Sequence, residues 1–178
     1  MKMYKQFRIR DGKLYPLFVN SNKETPMGVW LNAESGDRTA DGKVKSKLGG
    51  LAYRPGWHLA DMPYAGHIGL KDKNGKVVEA HPDTVWAECE VCTDINYTPE
   101  ARENGWRGGK WSARRAQLDR IPENGYYTYK TNPKNIGTWV IAGRIKVNRV
   151  LSYEEEQKIC AEHGVVAQKR NHPIPYIK

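Results

Sequence analysis

Period-two alternation of apolar and polar residues recurs along this chain. Tyr4–Arg10 alternates weakly, then Asp11-Gly12 precedes Leu14–Val19. An Asp-Gly pair between two strand-like runs predicts a tight hairpin. Val85–Val91 is the clearest strand, with Val85, Ala87, Cys89 and Val91 on one face and Trp86, Glu88 and Glu90 on the other. Tyr126–Lys130 and Thr138–Val150 also read as strands, and Gly143 marks a bulge or bend in the second. Trp57-His58-Leu59 reads as a short strand. Asn74-Gly75, inside Lys71–Lys76, is a further turn signal.

Helical patterns are few. Val29–Glu34 predicts one or two helical turns after Pro26 and Gly28. Thr98-Pro99-Glu100 predicts a short helix with Thr98 as N-cap and Pro99 at its first position. Ser152-Tyr153-Glu154-Glu155 is a capping box opening a helix that ends at Gly164. Residues 35–47 are polar and glycine-bearing, a loop or a weak helix. The fold class expected is α+β, with short strands in one twisted or two packed small sheets and few short helices. Residues 1–164 form one domain, and the Pro-containing basic segment 165–178 is an extended, partly loose tail. A doubly wound fold is excluded, because regular strand–helix alternation and a glycine-rich phosphate turn are missing.

Composition sharpens this reading. The chain has 178 residues, long enough for a real core. It contains no run of about 18 apolar residues, so no membrane-spanning helix is expected. The basic stretch Met1–Arg10 lacks an apolar core, so no signal peptide is expected. Three cysteines fit free thiols in a reducing compartment, the cytoplasm. Cys89 and Cys92 have C-x-x-C spacing but fall on a strand, so they read as buried thiols and no metal is expected.

The net charge is +9, which favours anionic partners such as nucleic acid or a nucleotide. Basic residues concentrate between positions 102 and 120. Trp106, Arg107, Lys110, Trp111, Arg114 and Arg115 are the candidate nucleic-acid contacts there, because Arg beside Trp can grip a phosphate chain and stack a base. Gly105, Gly108 and Gly109 make this segment read as a mobile loop, with anion contact as a second role.

The densest chemistry lies between Leu48 and Gly69. Tyr53, Arg54, Trp57, His58, Asp61, Tyr64 and His67 fall within fifteen positions. Asp61 is placed to N-cap a turn of helix at Met62-Pro63, and such a strand-to-helix junction can hold an anion. Arg54 pairs with phosphate in this reading, and His58 contacts a ribose hydroxyl. Each residue also has a structural reading: Asp61 as a cap, Trp57 as core, His58 as a satisfied core histidine.

The runs Lys13–Asn20, Lys43–Gly49, Leu51–His58 and Ile145–Ser152 resemble an uncharacterised domain of phages and mobile elements of gut bacteria, also found in large polyvalent proteins. That resemblance implies a phage or mobile-element origin and a bacterial host cytoplasm. Gly56-Trp-His-Leu-Ala-Asp-Met-Pro-Tyr-Ala65, followed by Gly69, is similar to the middle motif of ADP-ribosyltransferases. This second resemblance implies a split sheet, NAD as cofactor and transfer of ADP-ribose to a host macromolecule. It makes Tyr53, Arg54 and Trp57 the NAD contacts, with His58, Asp61 and Glu123 as catalytic residues. The chain departs from that family in two places. Leu14-Tyr15-Pro16 carries neither the His nor the Arg of the first site strand, and no Glu stands near Thr138. Two other functions fit the same residues: a non-catalytic nucleic-acid-binding module centred on Trp106–Arg115, and phosphodiester hydrolysis with His58 and His67 as acid and base.

Overall fold

The computed structural model describes residues 1–46, 49–130 and 136–178. Lys47, at the end of the expected 35–47 loop, and Leu48 lie outside them. In chain order the first strands are β1 (Lys2–Arg10), β2 (Lys13–Pro16), β3 (Trp30–Asn32), β4 (Val44–Ser46), β5 (Gly49–Leu51), β6 (Trp57–Ala60), β7 (Leu70–Lys71), β8 (Val77–Glu79), β9 (Thr84–Val91) and β10 (Ile95–Asn96). Helix α1 (Thr98–Glu103) follows, then β11 (Trp106–Arg107), β12 (Lys110–Trp111), β13 (Gly125–Tyr129), β14 (Trp139–Ala142), β15 (Arg144–Val150) and helix α2 (Tyr153–Glu162). The fold is α+β: short strands in one main mixed sheet and three small hairpins, with two helices among the described residues.

The main sheet runs β10-β13-β14-β6-β1-β9-β15-β3, with β2 beside β1. β10 and β13 are parallel and the other pairs antiparallel. β14 and β15 are one stretch of chain broken at Gly143, yet β14 pairs with β6 and β15 with β9. That stretch passes from one side of β1 to the other and curls the sheet around a shared interior. Met3, Phe7, Leu14, Leu59, Val85, Cys89, Val140 and Ile145 fill this interior, and Ile174 and Ile177 of the tail pack against it. The break needs glycine, since a Cβ on Gly143 would stand 2.1 Å from the Pro122 carbonyl oxygen.

Local chemistry accounts for the turns. Asp11 and Gly12 both have positive φ, as a type I′ hairpin turn requires, and Gly108-Gly109 does the same between β11 and β12. β9 presents the predicted faces: Val85, Ala87, Cys89 and Val91 look into the core, and Trp86 is buried on the opposite side. Cys89, Cys92 and Cys160 are buried free thiols. Ser152 closes the predicted capping box with Glu155 at the start of α2.

Several expectations are corrected. Residues 29–34 form no helix, because Trp30–Asn32 extends along β15 as an edge strand. The residue capping α1 is Tyr97, and the Thr98 hydroxyl instead accepts the Thr128 backbone N–H at 3.1 Å. The turn of helix expected after Asp61 is a bend, in which the Asp61 N–H donates to the Thr138 carbonyl. Residues 106–111 form a hairpin where a loop was expected. The tail is anchored: Arg170 is buried, and the Lys178 N–H donates to the Gly12 carbonyl.

A candidate nucleotide cleft

The site begins with a fault in strand pairing. Along one edge, β1 pairs with β9 from Lys2 to Arg8. Along the other, β6 meets it at Tyr4 and β2 meets it from Phe7 to Arg10. Pro16 ends β2 and has no N–H with which to extend the ladder. Lys5 and Gln6 therefore have no strand partner on that edge, and β6 and β2 part beside them.

A cavity of about 720 Å³ occupies the opening. Adjacent strand residues point to opposite faces. Lys5 and Gln6 both line the cavity, so it reaches both faces of β1 through the opening. Its volume lies within the range of roughly 300–1,000 Å³ usual for small-molecule and cofactor sites.

The interior-face side is built around Lys5. It stands between Met3 and Phe7 in the apolar phase of β1. Its Nζ donates to the His58 carbonyl at 3.1 Å and lies 5.7 Å from the ring centres of Trp57 and Phe7. Among the described residues it has no carboxylate partner within 4 Å. Burial pushes its pKa down to about 8. The sequence reading did not single out Lys5, although a lysine interrupting the core-facing phase of a strand is a legible anomaly.

Four residues proposed from the sequence line the same cavity: Tyr53, Arg54, Trp57 and His58. Gly56 sets their approach, because a Cβ there would stand 2.4 Å from Ile141 Cγ2. The Trp57 indole N–H donates to the Leu31 carbonyl at 3.2 Å. Tyr53 has one ring face covered by the Arg38 guanidinium, 3.4 Å from its centre. Arg54 Nε donates to Gln117 Oε1 at 3.1 Å, and Gln117 Nε2 donates to the Tyr53 carbonyl at 3.2 Å. Gln117, another residue unmarked in the sequence, thus fixes both.

His58 is held neutral. Its Nε2 donates to the Arg54 carbonyl at 3.0 Å, which leaves Nδ1 as an acceptor. Burial first, and then the nearby charges of Lys5 and Arg54, push its pKa down to about 4. Burial also lowers the pKa of His67, which lines the cavity too.

Asp61 and Glu123 lie outside the lining. Asp61 Oδ1 is buried without a partner, and Glu123 is exposed with its carbonyl accepting the Tyr97 hydroxyl. The carboxylates that do line the cavity are Glu24 and Glu34, which pair with Lys13 and Lys23. On the Gln6 side, His81 Nδ1 stands 2.8 Å from Asp83 Oδ1, and Arg8 holds the other Asp83 oxygen at 2.6 Å.

The basic segment sits apart from the cleft. Trp106 and Trp111 are cross-strand neighbours on the β11–β12 hairpin, 57% and 44% exposed. Trp111 donates its indole N–H to the Arg102 carbonyl. Arg115 is committed to the hairpin itself, donating to the carbonyls of Gly105 and Lys110. Arg107, Lys110 and Arg114 have no ion-pair partner among the described residues.

No group of three or more His, Cys, Asp or Glu among the described residues could hold a metal ion. No helix among them is long and apolar enough to cross a membrane. Set against protein-family models, curated proteins and solved structures, the chain matches none.

Proposed function

We propose that the cleft binds a nucleotide of dinucleotide size, NAD in the first instance, and that the domain passes its ADP-ribose to a macromolecular acceptor. The observation that carries this reading is Lys5: an ammonium without a carboxylate, beside two aromatic rings, in an opening of the main sheet. Keeping an unpaired lysine there costs stability, and an anionic ligand supplies the missing partner. Lys5 and Arg54 take the pyrophosphate, and Trp57 offers a ring face. His58 offers a neutral Nδ1 to a ribose hydroxyl.

In the transfer step, the acceptor nucleophile forms a bond to the anomeric carbon while the bond to nicotinamide breaks. The bonding pair leaves with nicotinamide, and positive charge grows on the ribose. Glu24 and Glu34, the lining carboxylates, take the stabilising role first given to Asp61 and Glu123. The test is a thermal-shift series with NAD, ADP-ribose and AMP, followed by chromatography for nicotinamide released in the presence of acceptor proteins. Millimolar NAD raises the melting temperature, and nicotinamide accumulates when acceptor is present. A melting temperature indifferent to all three nucleotides overturns the reading.

A second reading rests on the hairpin. Two exposed tryptophans beside uncommitted Arg107, Lys110 and Arg114 suit the bases and phosphates of a single-stranded nucleic acid. This surface makes a nucleic acid the second class of partner.

A further inference from the structure

On the Gln6 side of the cleft, two buried polar atoms lack partners. The Thr84 hydroxyl donates to the His81 carbonyl at 2.9 Å, so its oxygen is free to accept. Gln6 Nε2 donates to that oxygen at 3.3 Å. The orientation of the Gln6 amide is thereby fixed, and its Oε1 has no partner. Gln6 is 6% exposed. The indole N–H of Trp139, a group that can only donate, is also buried without a partner. Both residues line the cavity. Native interiors rarely leave such groups unpaired, and a bound ligand is one standard explanation.

The walls between these two atoms suit a flat ring. Trp86 is buried directly across the strand pair from Gln6. The His67 ring lies 6.5 Å from that of Trp139, tilted by 55°, and burial keeps it neutral.

We infer that Gln6 and Trp139 read the polar edge of a planar ring, an N–H donor beside a hydrogen-bond acceptor, on the nucleotide bound in the cleft. This rests on the nucleotide reading above. Gln6 Oε1 takes the ligand N–H, and the Trp139 indole N–H meets the ligand acceptor. Two parts of NAD carry that edge: the nicotinamide carboxamide and the amino edge of adenine.

The test compares calorimetric titrations of NAD, its 3-acetylpyridine analogue and its hypoxanthine analogue. The first analogue lacks the carboxamide N–H, and the second lacks the adenine amino group. In the wild type, one analogue binds about tenfold more weakly than NAD and so names the ring. In Gln6→Met that analogue and NAD bind alike, and Trp139→Phe weakens NAD while keeping a ring in place. Gln6→Met removes an unsatisfied buried group, so its denaturation midpoint is equal to or above that of the wild type, which excludes misfolding. Saturation-transfer NMR with free nicotinamide and free adenine forms a separate arm, in which one of them contacts the wild type and loses contact in Gln6→Met. If NAD binds and neither variant weakens it, the inference is overturned and the nucleotide reading survives. If NAD does not bind but a free ring does, lost in Gln6→Met, the nucleotide reading fails and the ring site stands. If no ligand binds, both fail.

Discussion

The ammonium of Lys5 is 3.1 Å from the backbone carbonyl oxygen of His58, across the opening where β6 leaves β1. That bond spans the one stretch of this edge where β1 has neither β6 nor β2 beside it. It also sets the energetics of the site, because a carbonyl dipole compensates a buried charge less fully than a carboxylate does.

Lys5→Met therefore raises stability. The amine has its pKa lowered from 10.5 to about 8, so the folded chain disfavours the proton that the unfolded chain keeps. The unfolded state binds more protons between pH 8 and 10.5. Wild-type stability accordingly rises with pH across that window and is reduced below it. At pH 7, chemical denaturation is expected to find Lys5→Met more stable by about 1–3 kcal/mol. In the variant, the rise between pH 8 and 10.5 is smaller by one proton.

His58 gives the opposite edge of the pH profile. Its folded pKa, about 4, is below the ordinary 6.5, so its contribution is complete above pH 6.5 and disappears as pH falls through 4. Urea midpoints measured from pH 7 to pH 4 decline more steeply in the wild type than in His58→Gln. Equal slopes would show that His58 takes up its proton as freely in the fold as in the unfolded chain.

The C-terminal segment is held by a buried ion pair. Arg170 donates to Glu156 at 3.2 Å and to the Thr84 carbonyl at 2.9 Å, with both charged side chains under 5% exposed. Arg170→Met strands the Glu156 carboxylate and is expected to cost about 3–5 kcal/mol. Adding Glu156→Leu restores much of that loss, and thermal denaturation of the single and double variants measures it.

The hairpin makes an electrostatic prediction. Binding of a single-stranded oligonucleotide, followed by fluorescence anisotropy, weakens steeply with salt. Replacing Arg107 and Lys110 with Ala lowers the slope by about one per cation removed. Trp106→Ala weakens binding by about 1–3 kcal/mol at every salt concentration. Arg115→Ala acts differently, by loosening the hairpin that its guanidinium holds to Gly105 and Lys110. His58→Ala leaves oligonucleotide binding unchanged.

The parts of the fold legible in the sequence were those with local causes. Asp11-Gly12, the alternation of Val85–Val91 and the Ser152 capping box depend on residues near one another in the chain. Where partners distant in sequence decide, local preference misled. Trp30–Asn32 is extended because the edge of β15 is open to it, and the 165–178 segment is anchored because Arg170 finds Glu156. The cleft was legible in part. Tyr53, Arg54, Trp57 and His58 cluster in sequence and share the cavity. Lys5, Gln6 and Trp139 join them through strand pairing, and Asp61 and Glu123 are carried elsewhere by the same topology.

The central claim is that the opening beside Lys5 is an anion-binding nucleotide site. Isothermal titration calorimetry of NAD into the wild type and Lys5→Met, at pH 7 and low salt, tests it most directly. The account predicts saturable binding to the wild type and at least a tenfold loss in the more stable Lys5→Met variant. Equal affinity for both proteins, or no heat of binding to the wild type at millimolar NAD, would contradict it.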